Sequence, residues 1–366
     1  MQVRNGCLLF TLCSAALASF AVAETIFVDV DATGSADGRT WNSAYTSLGA
    51  ALDYASAGDE IWAAEGTYGP IELKNGVTVR GGFSGIETDA SDADPEVHKT
   101  YIDGQGLSRC IVSVDDESST EVWGFNIVNG AATEIAESGG GVYLWGSDVT
   151  FVNCVFAKNT AWFAGGAVAN YWGGSPSFIN CRFRANGGVD GRLMPSGAAG
   201  FFNHQTAGVV EFTNCLFDGN AARTGGAVIA LRGGTRFTNC TFAHNQATHG
   251  KGGALFDSGG RSMLENCILW DNTAAHAGTN EIFSNAESIV SGSDVRGGWP
   301  GAGNIDVDPR FVDPATGDFR LRADSPCRDV GHNVDLPDRV ANADLDLQPR
   351  VVGASIDLGA LEQQGQ

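Results

Sequence analysis

Five segments of this chain obey one template, F-x-N-C-x-F-x-x-N, and no other feature limits the possible folds so sharply. They are Phe151-Val-Asn-Cys-Val-Phe-Ala-Lys-Asn159, Phe178-Ile-Asn-Cys-Arg-Phe-Arg-Ala-Asn186, Phe212-Thr-Asn-Cys-Leu-Phe-Asp-Gly-Asn220, Phe237-Thr-Asn-Cys-Thr-Phe-Ala-His-Asn245 and, with leucine for both aromatics, Leu264-Glu-Asn-Cys-Ile-Leu-Trp-Asp-Asn272. Their cysteines lie 27, 34, 25 and 27 residues apart. Between them recurs Gly-Gly-small-apolar, at Gly139 to Val142, Gly165 to Val168, Gly225 to Val228 and Gly252 to Leu255. A period of this length, made of short β-rich runs ended by Gly or Asn, predicts an all-β solenoid, a single-stranded parallel β-helix of roughly ten coils. Each coil buries its inner face only by stacking on its neighbours.

The nearly constant columns of the repeat are the inward ones. Phe and Cys stand three residues apart, so strict strand alternation cannot bury both, and the intervening Asn must bend the chain. Asn153, Asn180, Asn214, Asn239 and Asn266 then stack coil on coil as an amide ladder, with a second ladder from Asn159 to Asn272. In-register cysteines on adjacent parallel strands sit about 4.8 Å apart, wider than the ~3.5–4.5 Å between disulfide Cβ atoms, so a column of buried free thiols is expected. Cys110 and Cys327 lie outside the repeat, and their redox state stays open.

Residues 1–23 combine Arg4, an apolar run from Cys7 to Phe20 and Ala21-Val22-Ala23 ahead of Glu24, which reads as a secretory signal peptide. The expected product is secreted or displayed at the cell surface, with no transmembrane segment in the mature chain. The organisation that follows is an N-terminal cap and first coil over 24–70, coils over 71–300 and an irregular C-terminal cap over 301–366. Within the first part, Leu48, Ala51, Leu52 and Ala55 fall on one side of a helix suited to lie over the first coil. The formal charge of −21, from 43 acidic and 22 basic residues, repels polyanions and excludes nucleic acid as a partner.

The motif pair Gly165-Gly-Ala-Val168 and Phe183-Arg-Ala-Asn186 resembles the repeats of the polymorphic outer membrane protein family, over roughly residues 122 to 283. That resemblance implies an exported β-helical surface protein with an adhesive role. Ile26-Phe-Val-Asp-Val30, Gly38-Arg-Thr-Trp-Asn42, Gly58-Asp-Glu-Ile-Trp62, Asp308-Pro-Arg-Phe311, Gly317-Asp-Phe-Arg-Leu321 and Ile356-Asp-Leu-Gly-Ala360 are similar to the ends of secreted β-helix proteins of the choice-of-anchor Q type. This second resemblance implies a right-handed parallel β-helix of the pectin-lyase-like fold, which hosts lyases, hydrolases, adhesins and structural proteins alike.

Candidate site residues gather at one corner of successive coils, between the last Asn of the repeat and the Gly-Gly strand. Trp162, Phe163, Asp190, Arg192, Arg223, His249, Lys251 and His276 would there form a groove offering stacking and cationic contacts to polysaccharide, or stand as unrelated solvated turns. The partner on the first reading is a polysaccharide or a host or neighbouring cell surface. A β-elimination lyase needs a base and a cation beside the uronate, and Arg223, His249 and Lys251 are the neighbours suited to it. A glycoside hydrolase needs converging carboxylates; Asp115-Asp116 point to opposite faces and Asp218 and Asp271 lie two coils apart, about 10 Å. Trp145, Tyr171 and Trp172 follow Gly-Gly strands and suit either sugar stacking or coil-edge packing. Asp306, Asp308 and Asp313 suit either Ca²⁺ or solvated turns; no other cofactor is indicated.

Overall fold

The computed structural model describes residues 23–117, 119–188, 197, 199–204, 208–332, 336 and 343–365. The expected leader therefore lies outside the described residues except for Ala23, as do Asp190 and Arg192. Each coil of the repeat runs through four strand positions, and equivalent strands of successive coils pair in parallel. Sheet I has ten strands, from Thr25–Val28 to Ile289–Ser291. Sheet II has nine, from Gly66–Tyr68 to Asp294–Val295, and sheet III has six two-residue strands, from Ala131–Ala132 to Thr273–Ala274. Sheet IV has eight, from Ile71–Glu72 to Ile282–Ser284. The ten rungs of sheet I match the coil number expected from the repeat.

The template residues stack in register. Phe151 pairs with Phe178, Phe178 with Phe212 and Phe212 with Phe237 in sheet I. Their rings form a stacked column with centroids 5.2, 4.9 and 4.8 Å apart. A second column, Phe156, Phe183, Phe217 and Phe242, stacks at 4.7, 4.5 and 4.6 Å. The two columns meet edge to face, an arrangement that adds about 0.5–1.5 kcal/mol per pair beyond area burial.

The Asn between Phe and Cys does bend the chain. Asn153, Asn180, Asn214, Asn239 and Asn266 all have φ between 51° and 54°, a left-handed conformation that Asn tolerates better than most residues. Asn214 donates to Asn180 at 3.1 Å, Asn239 to Asn214 at 3.2 Å and Asn266 to Asn239 at 3.1 Å. The second ladder is also present, from Asn159 through Asn186, Asn220 and Asn245 to Asn272, with amide bonds of 2.8–3.1 Å. All seven described cysteines are free and buried, and burial pushes the thiols of Cys154, Cys215 and Cys267 well up.

The Gly-Gly pairs shape the corner before sheet IV. Gly165 has φ 64°, and a Cβ there would lie 2.3 Å from the Val168 carbonyl. A Cβ on Gly166 would lie 2.3 Å from the Gly187 carbonyl of the next coil, so both positions exclude a side chain.

Helix α1 (Leu48–Tyr54) starts at Ser47, whose hydroxyl accepts the Ala50 amide, and buries Leu48, Ala51 and Leu52 on the first coil. At the other end the structure departs from the expected cap over 301–366. The last coil is closed by residues 296–305, where Trp299 packs on the main core and Ile305 bonds back to Ser293 and Val295. The described residues from 306 onward lie instead along the flank, with Phe311, Phe319, Leu321, Leu345, Leu358 and Leu361 packed on outward Leu216, Ala243 and Ile268 of sheet II. The reason is that sheet II carries apolar residues on its outer face, and these need cover.

Candidate functional site: the outer face of sheet IV

The strands of sheet IV alternate strictly. Val142 and Leu144, Val168 and Asn170, Phe201 and Asn203, Val228 and Ala230, and Leu255 and Asp257 point inward and are fully buried. The outward set from the second strand on is Val112, Val114, Tyr143, Trp145, Ala169, Tyr171, Phe202, His204, Ile229, Leu231, Phe256, Ser258 and Phe283. This outward set holds no Asp, Glu, Lys or Arg. His204 is held below its usual pKa, by burial first and by Arg232 second, and is neutral at pH 7.

These side chains touch one another as a strip. Tyr171 lies 5.8 Å from Tyr143, 5.4 Å from Phe202 and 5.7 Å from His204, ring centre to ring centre. Trp145 stacks on Tyr171 at 6.3 Å and meets Trp172 at 5.8 Å, with 37% and 53% of the two Trp surfaces exposed. Phe163 turns from its corner onto Phe202 at 6.4 Å, and Phe256 stacks on Phe283 at 5.0 Å. Seven strands at ~4.8 Å spacing make the strip roughly 29 Å long, the span of several pyranose rings.

At one edge of the strip an open cleft of about 570 Å³ is lined by Arg109, Ile135, Glu137, Ser138, Tyr143 and Tyr171, among others. Arg109 pairs with Glu137 at 3.2 Å, donates from Nε to the Ser138 carbonyl at 2.9 Å and lies over the Tyr143 ring at 5.2 Å. The Ser138 and Tyr171 hydroxyls are 2.9 Å apart. Burial pushes both tyrosine hydroxyls up, so neither supplies a phenolate near neutral pH. The cleft thus offers two flat rings, a neutralised ion pair and hydroxyl groups.

Some of the residues expected at one corner do lie together in the fold. The backbone bond from His249 to the Arg223 carbonyl and that from His276 to the Gly250 carbonyl place Arg223, His249 and His276 on successive coils. Trp162 falls on the same column two coils earlier, since Ala161, Gly188, Ala222, Ala247 and Ala274 occupy equivalent rungs of sheet III. Arg223 keeps its Nε buried without a partner, while His249 bonds to Thr248 at 2.9 Å. Lys251 is engaged elsewhere, its Nζ 4.0 Å from the centre of the Phe283 ring. Trp172 stands apart from this corner, at the far end of the sheet IV strands beside Trp145.

The three Ca²⁺ candidates lie in the C-terminal segment. Asp306 accepts the Gly297 amide at 3.0 Å, Asp308 accepts the Arg310 amide at 2.8 Å, and Asp313 begins a short 3-10 turn. Asp306 and Asp308 thus accept backbone amides, the Asp313 side chain makes no capping bond, and among the described residues no group of three His, Cys, Asp or Glu side chains is placed to hold a metal ion. Asp218, one of the outward carboxylates, lies against Arg184 and His244 beneath the C-terminal segment, and Asp271 pairs with Arg296.

Residues 73–242 match the family model described as a right handed beta helix region. The chain is a right-handed parallel β-helix. No curated protein matches its sequence. Among solved structures it is similar to the pectate lyase Pel9A, at 15% identity and a TM-score of 0.46 over 94% of this chain and 98% of that one. It is also similar to the pectin methylesterase from Aspergillus niger in deglycosylated form, at 16% identity and a TM-score of 0.34 over 79% and 91%. Reading sequence alone missed Tyr143, Phe202, Phe256, Phe283, Arg109 and Glu137. The available signal for the rings was the alternation inside the Gly-Gly strands, in which the second residue, the fourth or both are large and apolar although they face outward, as in Val142–Trp145, Val168–Tyr171 and Leu255–Ser258.

Proposed function

We propose that this chain is an exported β-helix that binds polysaccharide chains on the outer face of sheet IV, in an adhesive or structural role at a cell surface. The observation that carries the reading is the apolar outer face itself, with the partly exposed rings of Tyr143, Trp145, Tyr171 and Trp172 at one end, Phe256 and Phe283 at the other and buried Phe202 and Ile229 between them; sugar rings stack on such rings, and a solvated sheet would carry polar residues there. The β-helix supplies a rigid, regularly spaced platform, so binding needs little ordering of the protein. Affinity electrophoresis in polysaccharide gels tests it: retardation of the wild type, reduced in Trp145→Ala and Tyr171→Ala, supports the reading. Equal mobility of the three proteins in every gel would sink it.

A second reading, a polysaccharide lyase, has one observation in its favour. Arg223, with an unsatisfied Nε, lies one coil from His249 on a shared corner, and an arginine or histidine there suits proton abstraction beside a carboxylate. Incubation with pectate, alginate and chondroitin, followed by ultraviolet absorbance of unsaturated products, tests it directly. Turnover abolished by Arg223→Ala would establish that reading, and no turnover with any substrate would remove it.

A further inference from the structure

Resting on the glycan-binding reading of sheet IV, we infer that the polysaccharide it takes is neutral, not a uronate. The cleft that begins the strip contains one cation, and its charge is already balanced: Arg109 is paired with Glu137 and its Nε is donated to the Ser138 carbonyl. A carboxylate approaching this point meets the Glu137 carboxylate together with the guanidinium, so the local charge offers it no net attraction. At the opposite end of the strip Lys251 covers the Phe283 ring, and between the two His204 is uncharged at neutral pH.

What the cleft does present suits hydroxyl groups. An ion pair reads vicinal hydroxyls through both partners, the guanidinium donating and the carboxylate accepting, and the Ser138 and Tyr171 hydroxyls add two further groups that both donate and accept. The Tyr143 and Tyr171 rings supply the flat faces. The net charge of −21 acts in the same direction at long range, since it slows the approach of any polyanion. Arg232 and Arg261 are exposed and stand just past the ends of their sheet IV strands, Arg232 at the coil position that Trp172 holds and near enough to act on His204, so the outward strand positions themselves carry no arginine or lysine.

The test is affinity electrophoresis of the whole secreted chain in gels of laminarin, galactan or xylan against gels of polygalacturonate or alginate, each at low and high salt. The expected result is retardation by at least one neutral polymer that salt does not weaken, with affinity for the uronates about tenfold lower or absent. Glu137→Gln leaves Arg109 uncompensated and is expected to gain salt-sensitive retardation in polygalacturonate, whereas Arg232→Ala behaves as wild type. A wild type that prefers polygalacturonate, or that loses it on Arg232→Ala, overturns the neutral assignment and leaves the glycan-binding face standing. A wild type retarded in none of the gels overturns both.

Discussion

Ala185 sits on an exposed corner with φ 50°, and its equivalents Lys158, Gly219, His244 and Asp271 share that left-handed conformation at φ 57–64°. The position precedes the second ladder Asn and turns sheet II into sheet III. Five different residue types occupy it, so nothing in the sequence marked it as special, whereas the first bend was legible because Phe and Cys stand three apart around an invariant Asn. A left-handed alanine is strained by about 1–2 kcal/mol, partly offset in a glycine by its greater entropy loss on folding. Ala185→Gly is therefore expected to stabilise the fold by about 0.5–1 kcal/mol, read as a higher urea midpoint; a lower midpoint would refute the strain argument. The thiols allow a second prediction. With all seven described cysteines buried and free, a thiol reagent added to the native protein should react with none of them on the timescale that labels all seven in denaturant.

Within the coil, the two asparagine ladders run in opposite directions. Asn214, Asn239 and Asn266 donate toward the N-terminal coil, while Asn159, Asn186, Asn220 and Asn245 donate toward the C-terminal one. Asn220 also donates to the Phe183 carbonyl at 2.8 Å and accepts the Asn186 amide at 3.1 Å. Asn220→Ala would leave several of these groups buried and unpaired, a loss of about 3 kcal/mol or more in unfolding free energy. Phe212→Ala would open a hole where two aromatic columns meet and cost about 3–5 kcal/mol. Both values are measurable by chemical denaturation, and a loss under about 1 kcal/mol would show that the coils repack. The ladders were readable because they repeat in sequence. The face of sheet IV was not, because outward apolar residues also occur on sheet II, and sequence does not tell that the C-terminal segment packs on sheet II.

For the molecule as a whole, buried carboxyls set the pH response. Burial pushes Glu281 up to about 8, although the Asn272 amide at the end of its ladder eases the shift. Burial likewise raises Glu362 to about 7 and Asp294 to about 6. Unfolded, these groups titrate near ~4–4.5, so from there to about pH 8 the folded chain holds the extra protons and stability falls as pH rises. Glu87 acts at the other end: partial burial opposes it, but the Ser84 hydroxyl and amide hold it down to about 2, and that contribution is lost as pH falls. The melting temperature is expected to peak at about pH 5 and to fall toward pH 8.5, with a flatter profile in Glu281→Gln; a rise from 5 to 8 would contradict it.

The segment that follows the last coil is bound to coils far from its own. Asp346 pairs with Arg182, Ala343 accepts from Asn214, Ala360 donates to Thr241, and His332 exchanges two bonds with Asn266. A plain stack holds each rung only to the next and can peel from its free end. Here the returning chain acts as a splint laid across four rungs, so unravelling from that end must first lift the splint away. Cutting the chain after residue 305 should therefore turn a single sharp melting step into a broader, staged one.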